Sequence, residues 1–398
     1  MNNTRLNHLK KRRALWLNIH LWLGLSMGLL LSVVALTGSI SVFYQELDQW
    51  LNPGVLSVEL DHRGVQAYRP LQEILDAANK VAQQDYRHTL SIQAPRVSDS
   101  TYGIGYVKPE NKVTNTPETW VSIRVNPYTA QVTGIRTFPL GAGLPPGLVD
   151  FIAVLHYRLL LDDFWGGSIV GFLGIFGLFS TLTGMILWWP LTGKWRQAFT
   201  FKKTSNQKRI NIDVHKLVGM YFCVVLGAVL LSGIYMNFND KFVGLVQVIS
   251  PQTNQMPIVK VGDLHSNIGL AKAAQIVESA HPEGEFKWMV DDASNGKYLF
   301  SRHGVASTSH FWAERIVTVE AQTGRIVHVR DATNRKTAGE TFLDWQWPLH
   351  SGKAFGWAGR ILVFISGLIV PILFVTGVIR WLQKRKIQRK SSRNIAHK

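Results

Sequence analysis

Hydrophobic and polar positions fall in long blocks along this chain. Four stretches contain no Asp, Glu, Lys or Arg: Ala14–Gln45, Phe164–Gly193, Leu217–Asn239 and Ile361–Ile379. They run 32, 30, 23 and 19 residues, and a helix needs roughly 20 apolar residues to cross a bilayer core. The pattern predicts four transmembrane helices, because a helix buried in a soluble core rarely runs so far without a charge. Between the spans the period changes. Pro70–Gln84 places Leu71, Ile74, Leu75, Ala78 and Val81 on one helical face, and strand-like runs follow at Tyr102–Val107, Trp120–Val125 and Val132–Phe138. Leu270–Ala280 reads as a second such helix, followed by strand runs at Phe286–Val290, Tyr298–Ser301, Arg315–Val319 and Arg325–Val329.

These blocks repeat. His20-Leu-Trp-Leu-Gly24 returns as His215-Lys-Leu-Val-Gly219, and Thr37-Gly38 returns as Ser232-Gly233. Leu155-His156 precedes Thr183-Gly184 and Trp188, while Leu349-His350 precedes Thr376-Gly377 and Trp381. The offset is 195 for the first pair of histidines and 194 for the second, and Thr129 and Thr323 also differ by 194. Several landmarks at one offset mark an internal repeat. Equivalent spans run in the same direction, so the two-fold axis is expected along the membrane normal.

Charge sets the expected orientation. Of the net +17, residues 1–13 carry five Lys or Arg, residues 190–211 six and residues 380–398 eight, with no acid in any of the three. These segments hold 19 of the 43 basic residues and sit only at alternate ends of spans, which the positive-inside rule explains and nucleic-acid binding does not. Their cations also suit lipid phosphates. Both termini are therefore expected in the cytoplasm of a bacterium, with the chain in the inner membrane. The layout is a basic tail (1–13), a first span (14–45), an outside domain (46–163), a second span (164–193), a basic loop (194–211), a third span (212–239), a second outside domain (240–356), a fourth span (357–382) and a basic tail (383–398). The first apolar run is about twice a signal-peptide core, so it is read as a retained span. The fold class expected is α+β: four transmembrane helices in a parallel two-fold repeat, with two outside helix-plus-antiparallel-sheet domains. Cys223 is the single cysteine, which excludes intrachain disulfides and cysteine-ligated clusters.

Histidine carries the candidate chemistry. An ionisable group inside a span is costly and points to function. The repeat predicts His20 opposite His215 near the cytoplasmic face, and His156 opposite His350 near the outer face. Two imidazoles facing across a flat gap are the axial pair of a six-coordinate haem, and Gly24, Gly28, Gly38 and Gly219 leave room for a planar ring. Arg158 and Lys353 beside the outer histidines, and Arg13 and Lys216 beside the inner ones, are candidates to meet propionates. Zinc would want four clustered ligands, and a proton relay would want intramembrane acids; the spans offer neither. If His156 continued the axis of the second span it would stand about 14 Å beyond it, so Leu159–Gly167 is expected to break the helix and fold His156 back. His303 and His310 lie in a loop of the second outside domain, where a metal or substrate role competes with a solvated surface. Gly141-Ala-Gly143-Leu-Pro-Pro-Gly147 does not follow a strand into a helix and so lacks the context of a dinucleotide loop.

At these residues the chain resembles a known family. The motifs Ile19-His20-Leu-Trp-Leu-Gly24, Leu36-Thr-Gly38, Leu155-His156-Tyr-Arg158, Asp213-Val-His215-Lys-Leu-Val-Gly219 and Leu349-His350-Ser-Gly352 are similar to those of PepSY-associated membrane proteins. That family includes iron-regulated inner-membrane proteins and ferric-siderophore reductases, and the resemblance spans nearly the whole chain. It implies two haems of b type, held by His20, His156, His215 and His350, and two outside PepSY domains. It further implies electron transfer to a periplasmic ferric siderophore. Some members are fused to a cytoplasmic flavoprotein reductase; no such module is present in this chain, so the donor is expected to be membrane quinol or a separate cytoplasmic reductase. Two other classes compete: a non-catalytic anchored PepSY module binding a siderophore, peptide or peptidase, and a transporter, which would want polar groups at the membrane midplane.

Topology is directly testable. Reporter fusions at Asn206 and Lys398 should report the cytoplasm, and fusions at Asn111 and Asn295 the outside. A periplasmic signal from Asn206 would overturn the orientation.

Overall fold

A computed structural model describes residues 3–82, 86, 91–110, 118–140, 144–190, 193–202, 206–259, 266–292, 295–305, 314–335 and 337–396. His310 and Gly141–Gly143 lie outside the described residues. The chain starts with α1 (Asn3–Ser41), turns through α2 (Tyr44–Leu51) and α3 (Pro53–Leu56), and enters α4 (Leu71–Val81). Strands β1 (Ser91–Gln93), β2 (Tyr102–Lys108), β3 (Thr119–Val125) and β4 (Val132–Pro139) follow, then α5 (Leu148–Arg158) and α6 (Asp163–Trp188). The short α7 (Trp195–Ala198) leads to α8 (Gln207–Asn237), α9 (Asn239–Ile249) and α10 (Leu270–Ala280). Strands β5 (Glu285–Asp292), β6 (Lys297–His303), β7 (Glu314–Glu320) and β8 (Ile326–Arg330) precede α11 (Ala338–Asp344), α12 (Gln346–His350) and α13 (Gly356–Ala396).

Four helices are long and apolar enough to cross a membrane, over Lys11–Ser41, Asp163–Trp188, Gln207–Asn237 and Lys353–Gln388. They form a closed ring: α1 packs on α6 and α13, and α8 packs on the same two. That leaves α1 diagonal to α8. Small residues allow close approach where helices cross. A side chain at Gly367 of α13 would meet the Ala35 carbonyl of α1, and Ser39 Oγ donates to the Phe364 carbonyl there at 2.8 Å.

The sequence implied two outside domains, but the eight strands make one antiparallel sheet in the order β4-β3-β2-β1-β5-β6-β7-β8. The seam is β1 on β5, with Ile92 opposite Met289. Strand alternation gives the sheet two unlike faces. One carries Ile92, Ile104, Ile123, Met289, Phe300 and Val317, all almost fully buried beneath α4 and α10. The opposite face looks toward the membrane helices; its first half carries Ser91, Gly103, Gly105 and Ser122, and its second half the bulkier Leu299 and Ile316.

Chain reversal occurs where it was expected. Leu159 and Leu160 take φ of 54° and 60°, ending α5, and the Asp162 carboxylate caps α6 by accepting the Trp165 N–H at 2.9 Å. Gly166 is required here, because a Cβ would lie 2.1 Å from the Arg158 carbonyl. Polar ties dock the sheet on the bundle. Arg136 of β4 reaches Asp48 of α2 and, at 2.7 Å, Asp150 of α5, whose other oxygen accepts from Tyr44 at 2.5 Å. Arg360 of α13 grips both Glu46 oxygens at 2.8 Å. Burial works against ionisation of Glu46, yet that bidentate contact holds its carboxyl below the usual range.

The seam is expected to control stability. Ile92→Ala should cost about 2–5 kcal/mol, read as a lower unfolding midpoint of the purified protein. Ile135→Ala, on the same row but 46% exposed, should cost well under half as much.

Candidate functional site: two facing histidine pairs

The four histidines singled out in the sequence come together in two pairs. His20 on α1 faces His215 on the diagonal helix α8, with ring centres 6.1 Å apart. His156 on α5 faces His350 on α12, with ring centres 6.0 Å apart. The back-folded helices α5 and α12 lay the second pair against the sheet-side ends of α1 and α8, at Val34 and Val229. On α1 the two levels are about sixteen residues apart, or ~24 Å along the axis.

Each imidazole is fixed by its Nδ1. His20 Nδ1 donates to the Ser180 carbonyl of α6 at 3.0 Å, and His156 Nδ1 to the Val34 carbonyl of α1 at 2.8 Å. His350 Nδ1 donates to the Val229 carbonyl of α8 at 3.0 Å. His215 Nδ1 meets Thr376 Oγ1 of α13 at 2.9 Å, and that hydroxyl gives its own proton to the Ile372 carbonyl at 2.7 Å. The hydroxyl must therefore accept, so Nδ1 carries the proton in all four rings. This sets one tautomer throughout, with the Nε2 lone pair free, and it is the arrangement ligating histidines use. Burial pushes His156 and His350 below the ordinary imidazole range, His350 to about 4, so both are neutral at pH 7.

A glycine floors each ring. A Cβ on Gly38 would lie 2.6 Å from His156 Cε1, on Gly184 3.3 Å from His20 Cε1, on Gly233 3.4 Å from His350 Cε1 and on Gly377 3.6 Å from His215 Cε1. Every one follows a hydroxyl residue: Thr37, Thr183, Ser232 and Thr376. In the sequence these dipeptides were visible only as landmarks of the repeat. In the fold they are sockets: the glycine lies under the ring in all four, and Thr183, Ser232 and Thr376 set a hydroxyl beside Nδ1, while Thr37 donates to the Val34 carbonyl that His156 also uses.

These residues fit haem. A metal–imidazole bond of about 2 Å on each side places ring centres about 6 Å apart, the separation both pairs have. The His20–His215 pair also lines a cavity of ≈ 610 Å³, flanked by Gly24, Gly28, Gly184 and Gly219. Its charged lining is Arg13, Lys216 and Arg380. Arg13 donates to the Leu187 carbonyl and Lys216 to the Gln197 carbonyl, whereas Arg380 makes no hydrogen bond or ion pair among the described residues. Sequence reasoning missed Arg380, although it lies one turn beyond Thr376 on the same face of α13. Near the outer pair, Arg158 points away from His156 and donates to Asp163 at 2.6 Å, leaving its Nε and Nη2 without hydrogen bonds. Lys353 stands among Arg360, Lys287, Glu46 and Arg96. His303 lies 3.4 Å from Glu314, away from both pairs.

The profile of one protein family, described as the PepSY-associated TM region, matches residues 17–384. No curated protein matches the chain.

The sockets predict unequal tolerance of one methyl group. Gly38→Ala must displace His156 and should destabilise the protein by about 1–3 kcal/mol. Gly227→Ala, inside α8 with nothing within 4 Å of the added carbon, should be neutral or slightly stabilising. Thermal unfolding of the two variants in detergent checks the contrast.

Proposed function

The chain belongs to the PepSY-associated transmembrane family, and from that premise we propose that it is a di-haem electron-transfer protein of the inner membrane that reduces ferric siderophores on the periplasmic side. One observation carries the reading: two imidazole pairs at two depths, each with Nδ1 anchored and Nε2 free to face a metal. The orientation rests on the basic tails and loop, whose charge supports a cytoplasmic side for them and an outside position for the sheet. The matched elements of the two halves are read as a parallel repeat about the membrane normal.

When bound, haem iron supplies a one-electron carrier at each depth, and the single cysteine cannot provide the pair that c-type attachment uses. The chain's own residues hold and insulate it. His20 and His215 fix the inner position from diagonal helices, and Arg380 is placed to offset a carboxylate at the cavity mouth. His156 and His350 fix the outer position directly beneath the sheet. Hydrogen bonds from Nδ1 to carbonyls raise the basicity of each ligand. Electrons come from the quinol pool or a separate cytoplasmic reductase. One electron converts the chelated iron(III) to iron(II), which the hard oxygen donors of a siderophore hold far less tightly.

The alternative is a non-catalytic anchored module that binds a siderophore, peptide or peptidase, and the polar sheet face favours it enough to warrant a test. A protein purified after expression with ample haem should be red with two low-spin haems per chain. A colourless one favours the module. His20→Ala or His215→Ala should each remove about one haem and leave the other; retention of two intact bis-histidine spectra in both would refute the pairing. In stopped flow, ferric siderophores added without oxygen should reoxidise the reduced protein and deliver iron(II) to a ferrous trap. Rates indistinguishable with and without chelates of several classes would leave only the binding reading.

A further inference from the structure

The polar face of the sheet has a feature that the paired histidines do not explain. In β2, Tyr102, Ile104 and Tyr106 point into the core, so Gly103 and Gly105 fall on the opposite face. Their neighbours across the sheet are Gln93 and Arg124 on one row, and Ser91, Ser122 and Arg136 on the next. Glycine and serine leave that floor almost bare. Trp120 and Arg124 lie over it: a Cβ on Gly105 would stand 2.2 Å from Trp120 Cζ2, and one on Gly103 2.7 Å from Arg124 Nη1. The result is a cavity of ≈ 440 Å³ between the sheet and helices α2 and α5, within the usual range for small-molecule sites.

The equivalent positions in the other half of the sheet carry bulkier side chains. The rows equivalent to those two are Val290, Leu299, Thr318 and His328, and Trp288, Ser301, Ile316 and Arg330. Leu299 stands where the first half has Gly103, Ile316 where it has Ser122, and Thr318 where it has Arg124. A sheet needs only to be covered on this face, and the second half achieves that with bulk. The first half is hollowed.

Charge in the cavity is unbalanced. Its lining includes Arg96, Arg124, Arg136 and Lys287 against the carboxylates of Asp48 and Asp150. Arg136 holds both carboxylates, and Arg96 leans on Glu46 and Gln49. The side chains of Arg124 and Lys287 make no hydrogen bond or ion pair among the described residues, and Arg124 Nε is buried without a partner. Burial first, and then the neighbouring Arg136, weakens the hold of Arg124 on its proton; burial does the same to Lys287. Two half-buried cations left facing a polar hollow are costly unless an anion meets them.

The geometry points to a binding site for a small, oxygen-rich polyanion in this hollow, gripped by Arg124 and Lys287 and walled by the indoles of Trp120 and Trp288. A guanidinium fork suits a carboxylate or catecholate edge, and indole faces suit the flat body of a chelator. The floor helix α5 carries Asp150 and, six residues on, His156, so the site lies about 9 Å along that helix from the outer pair. Identifying the bound anion as the electron acceptor rests on the function proposed above. The existence of the anion site does not.

Binding can be measured without any redox step. Full-length protein in nanodiscs, with and without haem, would be titrated with ferric citrate, iron-free citrate and a neutral ferric trihydroxamate chelate, following tryptophan fluorescence and calorimetric heat. Ferric citrate should bind in both preparations, and the neutral chelate about tenfold or more weakly. Arg124→Gln and Lys287→Gln should each weaken ferric citrate by about tenfold while haem content and the bis-histidine spectrum stay as in the parent. Absence of citrate binding at millimolar concentration, or equal affinity in both variants, would overturn the site. Loss of haem from either variant would reassign the cations to the cofactor and overturn it too. Nanodiscs of zwitterionic lipid alone and with added phosphatidylglycerol separate the remaining source of anions: citrate binding abolished by the anionic lipid would give the hollow to a lipid headgroup instead. If citrate binds as expected but never reoxidises reduced protein, the site stands and the reductase reading falls.

Discussion

A neutral imidazole buried in a helix bundle has one N–H to give away, and here the bundle is arranged around where that proton goes. His20 and His215 sit on diagonal helices, and each hands its proton to the helix beside it, α6 and α13 respectively. His156 and His350 come from short helices outside the ring and hand theirs to α1 and α8. Every helix of the ring therefore accepts from one histidine. The bond fixes the ring's rotation, and so fixes where Nε2 points. Leaving any of these N–H groups unpaired in the apolar interior would cost about 1–3 kcal/mol.

The sheet depends on the same arrangement from above. Arg136, Asp48, Tyr44 and Asp150 join β4 to α2 and α5, and Arg360 with Glu46 joins α13 to α2. Helix α5 is thus held at one end by an ion pair to the sheet and at the other by a histidine to the membrane bundle. Small displacements of the sheet would be felt at His156. A rigid docking of this kind holds the direction of each Nε2 lone pair within narrow limits.

Much of this was legible in the residues. Charge-free runs marked the four spans, because the central part of each long helix has no acid or base to interrupt it. The repeat alone pairs His20 with His215 and His156 with His350, and the distance of His156 from the second span requires the reversal seen at Leu159 and Leu160. Other features left no local trace. Strand β1 is three residues long, too short to show a period, yet it makes the seam. Its pairing with β5 joins segments almost two hundred residues apart, and nothing in either strand names the other. Arg158 was placed near the outer ring by sequence proximity, but two residues along a helix is over half a turn, so it faces Asp163 instead. Arg380 was overlooked because it reads as the first charge of a basic tail, and only the facing of α13 turns it toward the cavity.

The strand order β4-β3-β2-β1-β5-β6-β7-β8 reads the same from either edge. Two identical chains joined through their first strands would build such a sheet as an isologous dimer, with each histidine pair shared between subunits. Carrying both halves in one polypeptide removes the obligation to be identical. A symmetric dimer that opened a hollow in one copy would open it in both, and would lose the bulk that covers the opposite half. Covalent linkage lets Gly103 and Arg124 diverge from Leu299 and Thr318 while the histidine pairs, which need both halves alike, remain matched. Single-chain architecture here is what permits one hollowed half of the sheet beside one filled half.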